Sequence, residues 1–327
     1  MKILGIGNAL VDILAKLPDE GLLKELNVAK GSMNLIDAEM RKAIFEKMAD
    51  LETKMTTGGS VSNTILALKR MGEPVGFLGK IGDDEYGKFY LRKMNESGVE
   101  QRLIQETTFS GTALAMITPD GERTFCTYLG AAADMRKEDI KASVFEQYTH
   151  FYIEGYLVQN HELIETASKM AQSLGLKTMI DLASFNVVAA DRDFIRNLVD
   201  QHVDIFLANE EEAYALTGKR PSDAIHEIAE KVEIAIIKDG DKGSWVKQGD
   251  VLVQVPVYKK IKPVDTTAAG DYYAAGFFYG MAYNAGLEKC ARLGSLFSYY
   301  IIQVIGTQLP EATWDEIRDL AGEIINN

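Results

Sequence analysis

Short apolar segments of strand length alternate along this chain with amphipathic segments of helical periodicity. Phe151-Tyr152-Ile153 is followed by a helical pattern over 161–174 and then by Thr178-Met179-Ile180-Asp181. Two further apolar runs end at the polar residues Asn209 and Asp239. This alternation predicts parallel β-α-β units. Since ligands bind at the carboxyl ends of strands in open α/β sheets, the polar residues that follow the strands are expected to form a binding site.

Length and charge restrict the kind of protein. A chain of 327 residues is long for one core, so we expect a main domain with a smaller appendage. The 35 basic and 48 acidic residues give a net charge of -13, which argues against a nucleic-acid or anionic-membrane surface. We therefore expect a small-molecule ligand, and either a monomer or a homodimer.

The cysteines and the first residues of the chain indicate in which cellular compartment the protein is expected. Cys126 and Cys290 lie far apart, and the four histidines show no metal-binding spacing, as expected for free thiols in a reducing compartment. The apolar run over 1–7 is short and passes directly towards Asp12, which is typical of a buried strand rather than a signal peptide. No stretch has the length of a membrane span. We expect a cytoplasmic protein.

Two segments depart from the β-α alternation. Residues from about 15 to 36 and from 111 to 129 have the pattern of β ribbons, and Thr118-Pro119-Asp120-Gly121 supplies a turn in the second. A small sheet built from these insertions would fold over the site as a lid. The main α/β domain would then comprise about 1–14, 37–110 and 130–327. The alternative is an edge extension of the main sheet.

The run from Val264 to Asp271 places small residues and a carboxylate where an apolar segment gives way to a helix. N–H groups at a helix N-terminus, with the positive end of the helix dipole behind them, bind anions. The amides of Ala268, Ala269 and Gly270 could therefore stabilise a phosphoryl group during its transfer. Asp271 could accept the proton of the attacking hydroxyl. Alternatively, Asp271 only caps the helix.

This run resembles the D-T-x-G-A-G-D signature of the PfkB/ribokinase family of carbohydrate and nucleoside kinases. Further segments match motifs of that family in its order: Gly5 to Asp12, the first strand and substrate-binding Asp; Gly58 to Thr64, the double-glycine motif; Asn209 to Glu212, N-x-x-E; and Lys238 to Ser244, the G-x-x-G turn. The resemblance covers essentially the whole chain. It implies a ribokinase-like three-layer α/β/α fold with a mainly parallel sheet, a β-sheet lid, and phosphoryl transfer from Mg-ATP to an alcohol.

The resemblance also assigns the donor side of the site. Lys238, Gly240 and Gly243 would contact ATP, because the glycines let backbone pass close to a nucleotide. Ser298, with its helix neighbours Ser295 and Tyr299, would line the adenine side or else belong to the core. Whether a monovalent cation is also required is left open.

Asn209 and Glu212 are the candidate magnesium residues. Spaced i and i+3 where a strand meets a helix, they share one helical face and could hold Mg²⁺ directly or through its waters. Glu210 and Glu211 make the alternative credible, namely a helix cap beside a solvated acidic face.

The acceptor side contains groups that bind hydroxyls. Asp12 can accept hydrogen bonds from a cis-diol, and Asn63 can both donate and accept. Gly58 and Gly59 would let backbone approach a sugar and could act as a lid hinge. Ser60, which follows them, is a further candidate for substrate contact. Alternatively, the glycines form only a turn before a helix that Ser60 caps.

Three further residues are weaker candidates for substrate contacts. Asn8 and Asn34 could add hydrogen bonds to the acceptor. Arg123, in the predicted lid hairpin, matches an arginine that contacts phosphates in adenosine kinases, although a lone arginine on a hairpin is usually only a solvated charge.

The motifs around Asp12 and Asn63 are closer to those of adenosine kinase than to those of ribokinase or fructokinase. The lid also supplies apolar side chains that could stack on a purine, Met33, Leu114, Met116 and Leu129. We therefore expect adenosine or a similar ribonucleoside, phosphorylated on its primary 5′-hydroxyl. The alternative acceptor is a sugar such as ribose or fructose.

Ala268 departs from the family pattern, because glycine usually occupies its position. If the backbone there needs a positive φ, alanine would strain the loop by about 1 kcal/mol or more. Reduced activity would then be possible, and a nucleoside-binding paralogue without catalysis is a third hypothesis.

Two other glycine patterns are set aside. Gly82 to Lys88 fits G-x-x-x-x-G-K, but Phe89 replaces the hydroxyl residue that reaches Mg²⁺. Gly5-x-Gly7 resembles the start of a dinucleotide fingerprint, yet Leu10 occupies its third glycine position. A nicotinamide-dependent enzyme is therefore a weak alternative.

Overall fold

A computed structural model describes residues 1–327, which form two β-sheets and the helices around them. The strands are β1 Ile3–Ile6, β2 Leu10–Lys16, β3 Met33–Leu35, β4 Thr53–Gly58, β5 Val75–Gly82, β6 Glu100–Glu106, β7 Gly111–Ile117, β8 Arg123–Tyr128, β9 His150–Glu154, β10 Lys177–Asp181, β11 Ile205–Asn209, β12 Ile234–Lys238, β13 Ser244–Gln248 and β14 Val251–Val255. The helices are α1 Gly21–Glu25, α2 Ala38–Lys47, α3 Ser60–Arg70, α4 Glu85–Ser97, α5 Ala142–Phe145, α6 His161–Ser173, α7 Phe185–Ala190, α8 Arg192–His202, α9 Glu210–Thr217, α10 Pro221–Ala229, α11 Ala269–Ala282, α12 Leu287–Ile301 and α13 Glu311–Asn326. Short 3-10 helices occupy Gly130–Asp134, Lys137–Asp139, Gly155–Gln159 and Gly240–Lys242.

The larger sheet has nine strands in the order β14-β13-β12-β11-β10-β9-β1-β5-β6. Neighbours from β12 to β6 are parallel, and β13 and β14 add an antiparallel edge. The chain runs from β1 to β5 on one side and later resumes at β9 on the other. The strand order therefore reverses at β1, which opens a crevice at the carboxyl ends of β1 and β9.

Helices cover both faces of this sheet. In β9, Tyr152 belongs to an apolar cluster with α3, α11 and α12, whereas Phe151 and Ile153 belong to a second cluster with α6, α8 and α10. Burial on both faces explains why the strands are continuously apolar in sequence. The predicted three-layer α/β/α fold is confirmed.

The smaller sheet has five strands in the order β3-β8-β7-β2-β4 and takes strands from both predicted insertions. It also takes β4, which the expected boundaries placed in the main domain, and β2 already begins at Leu10. Conversely, residues 15–36 contain only the last two residues of β2, helix α1 and the three-residue strand β3. Thr53–Gly58 is an edge strand whose first residues are exposed, so it lacks the apolar alternation that marks a strand in sequence.

The two faces of the smaller sheet differ. Leu114 and Met116 of β7 are buried in one cluster with Leu23 of α1 and Ile44 of α2, whereas Ala113, the residue before Leu114, lines a cleft on the opposite face. Because strand side chains alternate, Leu114 and Met116 face away from the cleft. The expectation that they line the inner face of the lid is therefore wrong.

None of the helices combines the length and the apolar character that crossing a membrane requires.

Candidate active site

A cleft of about 1910 Å³ separates the smaller sheet from the carboxyl ends of the central strands. It brings together residues from all the motifs identified in sequence: Asn8, Asp12, Gly59, Ser60, Asn63, Asn209, Glu212, Lys238, Gly240, Gly243, Ala268, Ala269, Gly270, Asp271 and Ser298. Three candidates, Asn34, Gly58 and Arg123, do not line it.

The loop before α11 has the geometry of an anion site, with one difference from expectation. Ala268 adopts the left-handed conformation, with φ 62° and ψ 7°, and α11 begins immediately after it. The N–H of Ala269 donates to the carbonyl of Thr266 at 3.1 Å, so this amide is already used within the loop. The N–H groups of Ala268 and Gly270 have no such partner, and they lie at the positive end of the helix dipole.

Lys238 places a buried cation beside this loop. A Cβ built on Gly270 would lie 3.1 Å from the Lys238 Nζ. The ammonium donates to both oxygens of Asp181 at 2.8 Å. Burial alone would lower the pKa of Lys238, but the carboxylates of Asp181 and Glu212 outweigh burial and raise it. The cation therefore persists in the cleft, and Asp181, which the sequence patterns did not single out, is the residue that holds it.

Asp271 faces the loop from the first turn of α11. Ser60 Oγ donates to its Oδ1 at 2.6 Å and Asn63 Nδ2 to its Oδ2 at 2.8 Å. Burial raises the pKa of Asp271 to about 6, and the two hydrogen bonds oppose that rise. Asp271 is therefore mostly ionised at neutral pH yet basic enough to accept a proton. The Oδ1 of Asn63 is buried and accepts no hydrogen bond within the protein. A hydroxyl group of a bound ligand could donate to it.

The double glycine is required by two close approaches. A Cβ on Gly58 would lie 2.0 Å from the Asp12 Oδ1, so this glycine makes room for the carboxylate rather than for a ligand. Gly59 has φ 99°, and a Cβ there would lie 2.1 Å from the Asn8 carbonyl oxygen. Burial, and secondarily the charge of Asp271, raises the pKa of Asp12 to about 7.

Glu154 is a buried carboxylate that none of the sequence motifs includes. It ends β9 and accepts hydrogen bonds from Asn8 Nδ2 at 2.6 Å, from Asn8 N–H at 3.3 Å and from Val61 N–H at 3.2 Å. Asn8 is thus a positioning partner of Glu154. Burial raises the pKa of Glu154 to about 7. Only its place at the end of an apolar strand could have indicated it.

Asn209 and Glu212 form the reciprocal helix cap that was the alternative hypothesis. The Asn209 Oδ1 accepts from the Glu212 N–H, and both carboxylate oxygens of Glu212 accept from Asn209, each at 2.8 Å. Burial raises the pKa of Glu212 to about 8. No group of three or more acidic, histidine or cysteine side chains is arranged to hold a bare ion. Because the polar atoms of Asn209 and Glu212 already bond one another, the pair could hold Mg²⁺ only through the ion's own waters.

Contacts within the protein explain part of why glycines occupy the G-x-x-G turn and why a serine occupies position 298. Gly240 has φ 53° and Gly243 has φ 97°. A Cβ on Gly243 would lie 1.9 Å from the Val255 carbonyl oxygen, so β14 already excludes any other residue there. Ser298 Oγ donates to the Ala269 carbonyl at 2.8 Å and fixes the start of α11.

Two predicted substrate residues point elsewhere. The Asn34 Nδ2 donates to the Phe125 carbonyl at 3.0 Å, and Asn34 pairs in register with buried Cys126 while its neighbours Met33 and Leu35 line the cleft. Asn34 thus lies on the outer face of the smaller sheet. Arg123 forms an ion pair with Asp265, the first acidic residue of the loop before α11.

Comparison with known sequences identifies the type of protein. The profile of the pfkB family carbohydrate kinases matches residues 24–314. The chain belongs to the PfkB family of carbohydrate kinases. The predicted family and the predicted enzyme class, a phosphotransferase with an alcohol group as acceptor, are both confirmed.

Relatives of this PfkB kinase include both sugar and adenosine kinases. The crystal structure of adenosine kinase from Sinorhizobium meliloti has a TM-score of 0.84 and 31% sequence identity and covers 98% of both chains. That of a probable sugar kinase from Rhizobium etli has a TM-score of 0.86 and 29% identity and also covers 98% of both. An uncharacterized sugar kinase of Archaeoglobus fulgidus is 28% identical over 250 residues, 74% of this chain and 97% of that protein. The PfkB kinase is thus similar to sugar and nucleoside kinases alike, and kinases of this family use ATP, generally with Mg²⁺.

The raised pKa of Glu154 predicts that this PfkB kinase loses stability as the pH rises. Between its ordinary value of 4.5 and about 7, the folded chain holds a proton that the unfolded chain has released. The free energy of unfolding should therefore fall from pH 5 to pH 8, and Glu154→Gln should remove on the order of 2 kcal/mol of that fall. Urea denaturation at several pH values measures it. The exposed Glu39→Gln is the control, and an unchanged slope in Glu154→Gln contradicts the assignment.

The left-handed backbone at Ala268 predicts that Ala268→Gly stabilises the protein. Glycine removes ~1–2 kcal/mol of backbone strain from the folded state. The more flexible unfolded chain offsets ~0.4–1 kcal/mol of this gain in stability. The melting temperature should therefore rise slightly, with kcat preserved or increased. Differential scanning calorimetry and steady-state kinetics provide the measurements. A lower melting temperature, or a sharp fall in kcat, would refute the account of the loop.

Proposed function

We propose that this PfkB kinase transfers the γ-phosphate of ATP to the primary 5′-hydroxyl of a ribonucleoside, with adenosine as the first candidate. The observation that carries the proposal is the position of Asp271. Its carboxylate lies between an anion site, made by free amides and Lys238, and a hydroxyl-binding pair, Asp12 and Asn63.

Proton transfer follows from this placement. Hydroxyls of the acceptor's diol donate to Asp12 and to the unpartnered Oδ1 of Asn63, and the primary hydroxyl gives its proton to Asp271 as its oxygen attacks the γ-phosphorus. The bond from that phosphorus to the ADP oxygen breaks. Lys238 and the amides of Ala268 and Gly270 stabilise the negative charge on the group in transit. Ser60 keeps the base oriented through its hydrogen bond to Asp271.

The donor side supports Mg-ATP. Asn209 and Glu212 would hold Mg²⁺ through its waters, and the ion, when bound, supplies charge neutralisation to the phosphates. Gly240 and Gly243 line the neighbouring part of the cleft, where the nucleotide would pass.

The acceptor region is apolar enough for a purine. Met33, Leu35 and Phe125 line it from the smaller sheet, while Tyr156 and Leu157 line it from the opposite wall. Aromatic and aliphatic walls bind a flat base by burial and stacking. The adenosine kinase of Sinorhizobium meliloti, at 31% identity, supports the same reading.

A sugar acceptor is the second candidate, and Glu154 is the observation that favours it. A buried carboxylate beside the acceptor suits a hydroxyl-rich ligand, and two of the relatives described above are named sugar kinases. The third hypothesis, binding without catalysis, rests only on the strained Ala268. That strain leaves the N–H groups of the anion site in place.

We also propose a cytoplasmic location, because Cys126 and Cys290 are both unpaired thiols.

Asp271→Asn should abolish phosphoryl transfer while leaving nucleoside and ATP binding nearly intact. Loss of a general base costs ~10²–10⁴ in rate. A coupled ADP-release assay measures kcat, and calorimetry measures binding. Asp83→Asn, at an exposed ion pair with Lys88, is the matched control. Retention of more than about a tenth of kcat would remove Asp271 from the role of base.

Asp12→Ala should weaken adenosine binding about 10- to 100-fold and change ATP binding little, because a diol loses its charged acceptor. Adenosine should also bind more tightly than 2′-deoxyadenosine. Calorimetry with adenosine, 2′-deoxyadenosine, ribose and fructose decides the acceptor, and exposed Asp50→Ala is the control. If ribose or fructose binds more tightly than adenosine, the sugar-kinase alternative replaces the nucleoside assignment.

A further inference from the structure

The Asp265 carboxylate joins three separate parts of the chain. Its Oδ1 accepts from the Thr267 N–H at 3.0 Å and from the Thr267 Oγ1 at 2.7 Å. Its Oδ2 accepts from the Gly306 N–H at 2.8 Å and from the guanidinium of Arg123. Both side chains of the ion pair are nearly buried, with exposed fractions of 7% for Asp265 and 13% for Arg123. A carboxylate that accepts four hydrogen bonds and is largely shielded from water holds the groups bonded to it in fixed positions.

Three of these four donors belong to the main domain, and one does not. Thr267 lies in the loop before α11, and Gly306 lies in the segment after α12. Arg123 is the first residue of β8 in the smaller sheet, and Asp265 is its one ionic partner. The ion pair therefore exists only while the smaller sheet rests on the loop.

The loop that Asp265 holds needs external support. Ala268 is left-handed, and its Cβ makes that conformation costly. Such strain persists only where surrounding contacts over-determine the backbone. The Thr267 and Gly306 bonds to Asp265 supply part of that support, and Arg123 fixes the carboxylate from the opposite side of the cleft.

We propose that Arg123 is a positioning residue that makes the geometry of the anion loop depend on closure of the smaller sheet. Through Asp265, it holds the N–H groups of Ala268 and Gly270 in place when the sheet covers the cleft. This inference rests on the proposed function, because those amides matter to rate only in phosphoryl transfer. It differs from the sequence expectation that Arg123 contacts phosphate directly.

A double-mutant cycle tests the proposal. Arg123→Gln and Asp265→Asn should each lower kcat between about tenfold and about 100-fold, with the KM for ATP changed less than about threefold. Asp265→Asn should be the slower single variant, because it also disturbs the Thr267 and Gly306 bonds. The double variant should be no slower than Asp265→Asn, because Arg123 acts only through Asp265. Lys30→Gln is the matched control, since it breaks ion pairs with Glu20 and Asp120 in segments that connect strands of the smaller sheet and does not touch the anion loop. Multiplicative effects in the double variant would overturn the proposal.

Two further readouts separate positioning from other roles. A rise in the KM for ATP with kcat unchanged in Arg123→Gln would show a direct phosphate contact and overturn the proposal. Hydrogen exchange over 264–270 should increase in Arg123→Gln by more than in the rest of the chain, and unchanged exchange in this segment would also overturn the proposal. Exchange does not depend on turnover. If the wild-type kinase phosphorylates no nucleoside or sugar, the proposed function fails while the exchange comparison still decides whether Arg123 orders the loop.

Discussion

The carboxylate of Asp271 lies at the positive end of α11, and the other residues of the cleft are positioned around it. Burial pushes its pKa up, and the hydrogen bonds from Ser60 and Asn63 limit the rise. Those two donors come from α3, whose position is fixed by the glycine turn before it. That turn requires Gly58 and Gly59, because Asp12 and the Asn8 carbonyl occupy the space of their missing side chains. Asp271, the proposed base, is therefore held by the same packed residues that are proposed to contact the acceptor.

The same cleft is unusually rich in buried carboxylates. Asp12, Glu154 and Glu212 all have raised pKa values, with burial as the main cause. Lys238 lies beside the anion loop with its side chain 16% exposed, and it already pairs with Asp181. A polyphosphate entering this region of a chain with net charge -13 would meet repulsion. The electrostatics therefore favour a nucleotide that brings a divalent cation with it, which agrees with the proposed Mg-ATP donor.

The fold and half of the site could be predicted from local patterns. The β-α alternation predicted parallel β-α-β units, the resemblance to the PfkB family implied the three layers, and the small-residue run predicted the anion loop. Pairings between distant segments could not be predicted: Glu154 with Asn8, Asp181 with Lys238, and Arg123 with Asp265 each join residues that the fold alone brings together. Asn34 was misassigned for a related reason, because strand side chains alternate and register decides which face each occupies.

Ala268 departs from the family's glycine while keeping the backbone groups that a phosphate would contact. The family's glycine is suited to positive φ, and this chain keeps that backbone conformation with alanine instead. Phosphate binding at a helix N-terminus uses N–H groups, which alanine retains. The cost is conformational, of ~1–2 kcal/mol, which is a substantial fraction of the ~5–15 kcal/mol net stability of a folded domain. It is acceptable only if neighbouring contacts hold the loop, and the four bonds to Asp265 are placed to do so. The strained backbone at Ala268 and the four hydrogen bonds to Asp265 therefore belong together, because the bonds hold the loop that contains the strain.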